Sequence, residues 1–233
     1  MQPYFADAAA LLAFLVAWMG YARFVKLRHD QNPGLNALMN TQRHVWMQEM
    51  ARREVRIVDT AITSTLQNGT AFFASTSLIA LGGAATVLRS TEDVARLFAE
   101  LPFAPSFSRG LWELKTIGLM VIFGYAFFKF GWSYRLYNYS AILIGATPHA
   151  DSPDAAAREK AAQRAANMSV VAGRHFADGQ RAFFFSFAYL GWYLGPFAFM
   201  LTTALIMIVI YRRQFYSDAL SALTSVKDEP PKP

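Results

Sequence analysis

Three sets of side chains in this sequence are of types that do chemistry. His44, Met47 and Met50 stand about one helical turn apart, a donor set that suits copper. Arg43, Arg52, Arg53 and Arg56, interleaved with Glu49, Glu54 and Asp59, could hold a phosphorylated ligand or a lipid headgroup. Thr63, Ser64, Thr65, Thr70, Ser75, Thr76 and Ser77 crowd one stretch with Gln67 and Asn68, and could line a narrow pore assembled from several copies. Each set also has a plainer reading. Met47 belongs to an apolar stripe and Met50 widens it. The arginines and acids form i, i+3 and i, i+4 pairs along a solvated face. The hydroxyls bond back to their own helix or fasten a neighbouring one.

Other chemistry is excluded by composition and motif. Without cysteine there are no disulfides, thiolate metal sites or cysteine nucleophiles. His29, His149 and His175 have no partner at ligand spacing, and no histidine falls inside an apolar span where it could ligate haem. No P-loop, GxSxG, HExxH or CxxC motif is present. The expectation is a protein with no catalytic residues, no metal and no cofactor.

The elements that must position these groups are helices in a bilayer. Apolar residues make up 54% and charged residues 16%, against about 25% charged in a typical soluble domain. The formal charge is +6, but the basic residues flank apolar spans. That places them at anionic lipid headgroups rather than on nucleic acid. Between Thr41 and Leu66, residues Met47, Ala51, Val55, Val58, Ile62 and Leu66 recur at spacings of four and three, with Glu49, Arg52, Arg56 and Thr63 opposite. From Ala71 to Leu88 charge disappears, over a length of about 27 Å. This predicts a helix on the membrane surface that turns at Gln67-Asn68-Gly69 and then crosses.

The remaining spans follow in order. The first runs from about Ala8 to Phe24, and its MQPYFAD start lacks the basic residues of a cleavable signal, so it is expected to be retained. Ala9, Ala13 and Ala17 form a small-residue ridge on it. Ser90-Thr91-Glu92-Asp93 starts a short interfacial helix through Val94, Leu97, Phe98 and Leu101, which Pro102 stops. The third span begins near Leu111, and its helical pattern continues to Leu143, about 50 Å in all. Ser152-Pro153 restarts the chain into an alanine-rich helix that Gly173 and Gly179 should loosen. The fourth span is expected from Phe183 to Tyr211, with Gly191 and Gly195 as a GxxxG packing ridge facing Ala13 and Ala17 of the first.

Basic residues set the orientation. The loops after the first and third spans are strongly basic and should be cytoplasmic, leaving both termini outside, although Arg212 and Arg213 run against this scheme. Asp7, Glu113, Lys115, Lys129 and Arg135 lie near span ends, where snorkelling accounts for them. Mid-depth carries no charge, which argues against an ion-coupled pump.

The run Asn40-x-x-Arg43-x-x-Trp46-Met47, then Asp59, then Gln67 through Thr76 resembles a family of small integral membrane proteins, the domain of unknown function 599. Phe130-Gly131-Trp132-Ser133-Tyr134-Arg135, Asn138-Tyr139-Ser140 and Asn167 through Phe185 are similar to it as well. The resemblance implies a four-helix membrane protein and brings no activity or catalytic residues. The expectation is therefore an all-α membrane protein with four transmembrane helices plus amphipathic interfacial and cytoplasmic helices. One membrane domain should cover 1–215 and a disordered polar tail 216–233, in a bacterial inner membrane. The role expected is non-enzymatic assembly or interaction, with a passive channel or small-solute transporter as the alternative. Expected partners are the bilayer, anionic headgroups through Arg43, Arg52 and Arg56, and itself or another membrane protein; nucleic acid is not among them.

Overall fold

The structure is a computed structural model that describes residues 2–27, 33–99 and 108–224. Eight α-helices occur among them: α1 (Gln2–Leu27), α2 (Leu35–Arg52), α3 (Ile57–Arg89), α4 (Thr91–Ala99), α5 (Arg109–Gly145), α6 (Ala155–Leu190), α7 (Pro196–Phe215) and α8 (Asp218–Thr224). A 3₁₀ turn, Gly191–Leu194, links α6 to α7. No strand is present among the described residues. Four helices, α1, α3, α5 and α7, are long and apolar enough to cross a membrane. The all-α architecture is the expected one. The stop at Leu101-Pro102 and the tail from Ser225 lie outside the described residues. The described residues divide into two compact units, one of residues up to Met39 and from Phe187 onward, the other between Asn40 and Ser186.

In the second unit α3 and α5 run antiparallel. Arg56 meets the carbonyl of Ile144, Gln67 meets Asn138, and the rings of Phe73 and Phe130 stack 5.4 Å apart. The face that α3 turns inward is small and polar: Thr63, Thr70, Ser77 and Ala84, every seventh residue, with Asp59 one turn before them. Val58, Phe72, Leu78 and Ile79 point outward. Lipid is as apolar as these side chains, so burying them between helices gains little. Small residues instead let the two backbones approach. The inward hydroxyls are satisfied by their own helix, Thr63 donating to Asp59 O at 2.8 Å, Thr70 to Leu66 O at 2.7 Å and Ser77 to Phe73 O at 2.8 Å.

The position of the bend differs from the expectation. α3 continues unbroken through Gln67-Asn68-Gly69, and the chain breaks instead at residues 53–56. Composition changes at 67–71 because one unbroken helix passes from polar to apolar surroundings. An Asn-Gly pair makes a turn when the backbone goes left-handed, and Gly69 does not. Gly173 and Gly179 likewise lie inside the 36-residue α6, which runs antiparallel to α5. They accommodate neighbours: a Cβ on Gly173 would come within 2.6 Å of the Arg43 guanidinium, and one on Gly179 within 2.8 Å of the Phe130 ring. Asp154, rather than Ser152, caps α6 by accepting a hydrogen bond from the Ala157 N–H at 2.8 Å.

In the first unit the expected fourth span is interrupted. Pro196 has no N–H to continue a helix, and Gly195 takes φ +120°, a conformation that side chains with a Cβ rarely adopt. α7 then folds back on the last turn of α6, where the Thr202 hydroxyl donates to Ala188 O at 2.7 Å. Gly191 and Gly195 therefore do not form a ridge on one helix face. Gly191 lies against the Thr202 side chain and the Ala198 carbonyl, while Gly195 is the joint, with open space around its Cα.

The alanine ridge of α1 is not used either: Ala13 is exposed and Ala17 half-buried. α1 buries the neighbouring face, Asp7, Ala10, Phe14 and Tyr21. Aromatic stacking replaces close backbone approach there, with Phe14 5.0 Å from Phe199 and 5.5 Å from Tyr189. Successive contacts, Asp7 to Trp192, Phe14 to Phe199, Tyr21 to Ile210 O and Phe24 to Phe215, make α1 and α7 parallel. The start of α1 and the end of α7 thus lie at opposite ends of the pair. Within the expected disordered tail, α8 forms with its first turn held by Ser217 Oγ, which accepts from the Leu220 N–H at 3.2 Å.

An unbroken α3 and a tight Gly191 have opposite consequences in thermal melts of the detergent-solubilised protein. Gly69→Ala should hold or raise the midpoint, by up to about 1 kcal/mol of stability, because helix propensity alone changes. Gly191→Leu should cost about 1–3 kcal/mol through overpacking. A destabilised Gly69→Ala would restore the turn at that position.

Candidate functional site

The polar residues of the second unit gather where α2 ends, α3 begins and α5 ends. The carbonyls of Thr147 and Pro148, just past the end of α5, have no helical partner. Arg56 supplies one: its Nη1 donates to Ile144 O (3.2 Å) and Thr147 O (2.5 Å), and its Nη2 to Pro148 O at 2.6 Å. A cation at a helix C-terminus is also favoured by the helix dipole. Three residues on, the Asp59 carboxylate is fully buried. Its Oδ1 accepts from Trp46 Nε1 and from Arg53 Nη1, both at 2.7 Å, tying α2 and the break to α3. Asp59 Oδ2 and Arg56 Nε are buried with no partner in the protein. They are an acceptor and a donor one turn apart.

One turn earlier on α2, Arg43 Nη1 donates to Asn40 Oδ1 (2.9 Å) and Nη2 to Tyr137 Oη (3.2 Å), over the bare backbone of Gly173. Further along, Gln67 Nε2 donates to Asn138 Oδ1 at 2.7 Å across α3 and α5. The next level is aromatic, with the ring of Phe73 against those of Phe130, Phe176 and Phe183, and Phe130 against Phe176. Beside them Lys129 pairs with Asp178 at 3.0 Å, and Asp178 also binds Arg181.

The residues singled out in the sequence are thus dispersed. Arg43 and Arg56 are spent on internal partners, Arg53 pairs with Asp59, and Arg52, paired with Glu49 at 2.9 Å, stands in the open. Gln67 and Thr70 pack inward, whereas Asn68 and Ser75 are exposed. Met47 and Met50 are fully buried in a core cluster with Ile144, Ala165 and Ala166, while His44 lies beside Gln163. Asp7 and Lys115 are buried in the protein and Lys129 is paired across helices, so snorkelling does not account for them. Trp46, Arg53 and Asp59 act together, which their spacing did not reveal. The available signal was the seven-residue recurrence Thr63-Thr70-Ser77-Ala84, which puts Asp59 on the same inward face.

Chemically this arrangement joins helices. Its cations bond carbonyls and carboxylates of the chain itself. The fold and site define an α-helical membrane protein with a polar, internally bonded end. The chain belongs to the family described as proteins of unknown function, DUF599, whose model matches residues 9–219. No curated protein and no solved structure matches it. The resembling residues Asn40, Arg43, Trp46, Asp59, Gln67, Phe130 and Asn138 are those that meet in the second unit.

Substitutions separate joint from surface. Arg56→Leu should lose about 2–3 kcal/mol, the scale of charged hydrogen bonds left unmade. Asp59→Ala should lose a similar amount, below the loss expected of a fully buried pair because Arg53 is 42% exposed. Arg52→Gln should stay within about 0.5 kcal/mol. Thermal or denaturant unfolding reads all three. Equal, small effects throughout would mean that the joint contributes nothing.

Proposed function

We propose that the chain is a non-enzymatic integral membrane protein whose role is assembly or interaction, through the outer face of α3. The observation that carries this is a second seven-residue recurrence on that helix. Asn68, Ser75 and Gly82 are exposed, on a helix that otherwise turns Phe72, Leu78 and Ile79 outward. A polar amide, a hydroxyl and a bare backbone at heptad spacing suit a partner helix better than acyl chains. The four phenylalanine rings fill the space between α3, α5 and α6, which favours packing over passage through one chain. Cysteines placed singly at Ser75 and Gly82, in a chain with none of its own, should give a discrete higher-mass adduct with bismaleimide in native membranes. One at Phe128, exposed on α5, should not. Adducts at all three sites, or at none, would overturn the reading.

The alternative, a passive channel formed by oligomerisation, draws on the same exposed Asn68 and Ser75. Reconstituted protein should pass no more ion or small solute than empty liposomes. Permeation that Ser75→Leu abolishes would decide for the channel.

The same reading assigns a topology. α7 runs parallel to α1, so an N-terminus outside puts the end of α7 inside. Arg212 and Arg213 then join the other cytoplasmic basic residues, removing the conflict with the positive-inside rule. Single cysteines test this in intact cells of the inner membrane's host. Ser90→Cys should label from outside, and Ser152→Cys and Ser221→Cys should not. Labelling at Ser221→Cys would return both termini to the same side.

A further inference from the structure

On α5, Tyr125, Lys129, Trp132, Arg135 and Tyr139 recur at spacings of four and three along one face. All but Lys129 are exposed. The Arg135 guanidinium stands 5.7 Å from the Trp132 ring and 5.5 Å from the Tyr139 ring, and its Nε donates to Tyr139 Oη at 2.6 Å. Two rings and a phenol are its partners among the described residues. The terminal nitrogens keep their N–H donors, fixed in direction by the rings on either side. His175 of α6 lies edge-on to Trp132 at 6.5 Å, and the Lys129 ammonium stands 5.5 Å from the Tyr125 ring.

The level of these residues along α5 is informative. The stretch without charge ends at Phe128. Trp132 is about 6 Å further on, where amphipathic rings concentrate between hydrocarbon and headgroups. Arg135 is about 5 Å beyond it, at the depth of lipid phosphates. On the hydrocarbon side Val121, Tyr125 and Phe128 present an exposed apolar strip. Arg135, Lys129 and Arg181 set three positive charges against the single carboxylate of Asp178, an excess of two. The arginines first expected at headgroups, Arg43 and Arg56, are engaged inside the protein, so this face supplies what they do not.

We infer that this face of α5 binds one anionic phospholipid. The two terminal nitrogens of Arg135 fork the phosphate diester, Trp132 and Tyr139 hold the guanidinium flat, and an acyl chain lies along Tyr125 and Phe128. A guanidinium preorganised between rings loses little freedom on binding, and the excess positive charge selects a net-negative headgroup over a zwitterionic one. The assignment is independent of what α3 packs against.

Bromine-labelled lipids quench nearby tryptophan, and the full-length protein in vesicles can report on this site. The chain has five tryptophans, so the Trp132 signal is the difference between wild type and Trp132→Phe. Brominated phosphatidylglycerol should quench that signal more strongly than brominated phosphatidylcholine, and Arg135→Gln should remove the difference while helical content stays unchanged. Excess soluble glycerol phosphate should leave the preference intact. Equal quenching by the two lipids, or a preference that survives in Arg135→Gln, overturns the site. A preference abolished by glycerol phosphate shows that it takes a free phosphate and overturns the lipid assignment.

Discussion

Where the chain leaves α5 its carbonyls must find donors, and Arg56 supplies them to Ile144, Thr147 and Pro148. A helix of 37 residues is about 55 Å long, well beyond the hydrocarbon thickness, so its end must be satisfied by the protein rather than by lipid. One guanidinium on three carbonyls closes that end and fixes the α2–α3 break against it. Asp59 then locks the break from the other side through Trp46 and Arg53. With the corner held, α3 can meet α5 in only one register, and the seven-residue repeat of small residues follows from there to Ala84.

Two kinds of cohesion operate in the molecule, each suited to its surroundings. At the polar end of the second unit, methionines, alanines and Ile144 pack as a conventional apolar core. Along α3 the large apolar residues face outward and small ones inward, whereas α5 buries Trp112, Leu119, Ile122, Phe123 and Phe130. In the first unit, ring contacts and the hydrogen bond from Tyr21 Oη to Ile210 O hold α1 to α7, and the stripe that faces inward on α1 is Ala10, Phe14 and Tyr21.

Fold class was legible because apolar length is a one-dimensional property, and three of the four expected spans appear as single helices. The bends were not. A change of composition at 67–71 looked like a corner because a helix leaving a membrane changes its residues without breaking. Gly195 and Pro196 make a corner inside an unbroken apolar run, where hydropathy is blind. α6 escaped notice as a span-length helix because Arg174, Asp178 and Arg181 interrupt its apolar count. Two of those three charges are matched by each other and by Lys129. The candidate site was half legible: Arg43, Arg56 and Gln67 were picked out, but as groups facing outward. Whether a side chain faces a ligand or its own chain depends on what lies across from it, and only the pairing with α5 and α6 supplies that.

The back-bonded hydroxyls of α3 bear on how the protein is made. During synthesis α3 emerges before α5, and it must enter the bilayer with its future contact surface bare. Thr70, Thr76, Ser77 and Thr86 each donate to a carbonyl one turn back in the same helix, so these hydroxyls wait for no partner that has yet to be translated. The helix can therefore sit alone in lipid and be joined by α5 later, and the surface that becomes an interface is, until then, an ordinary lipid-facing one.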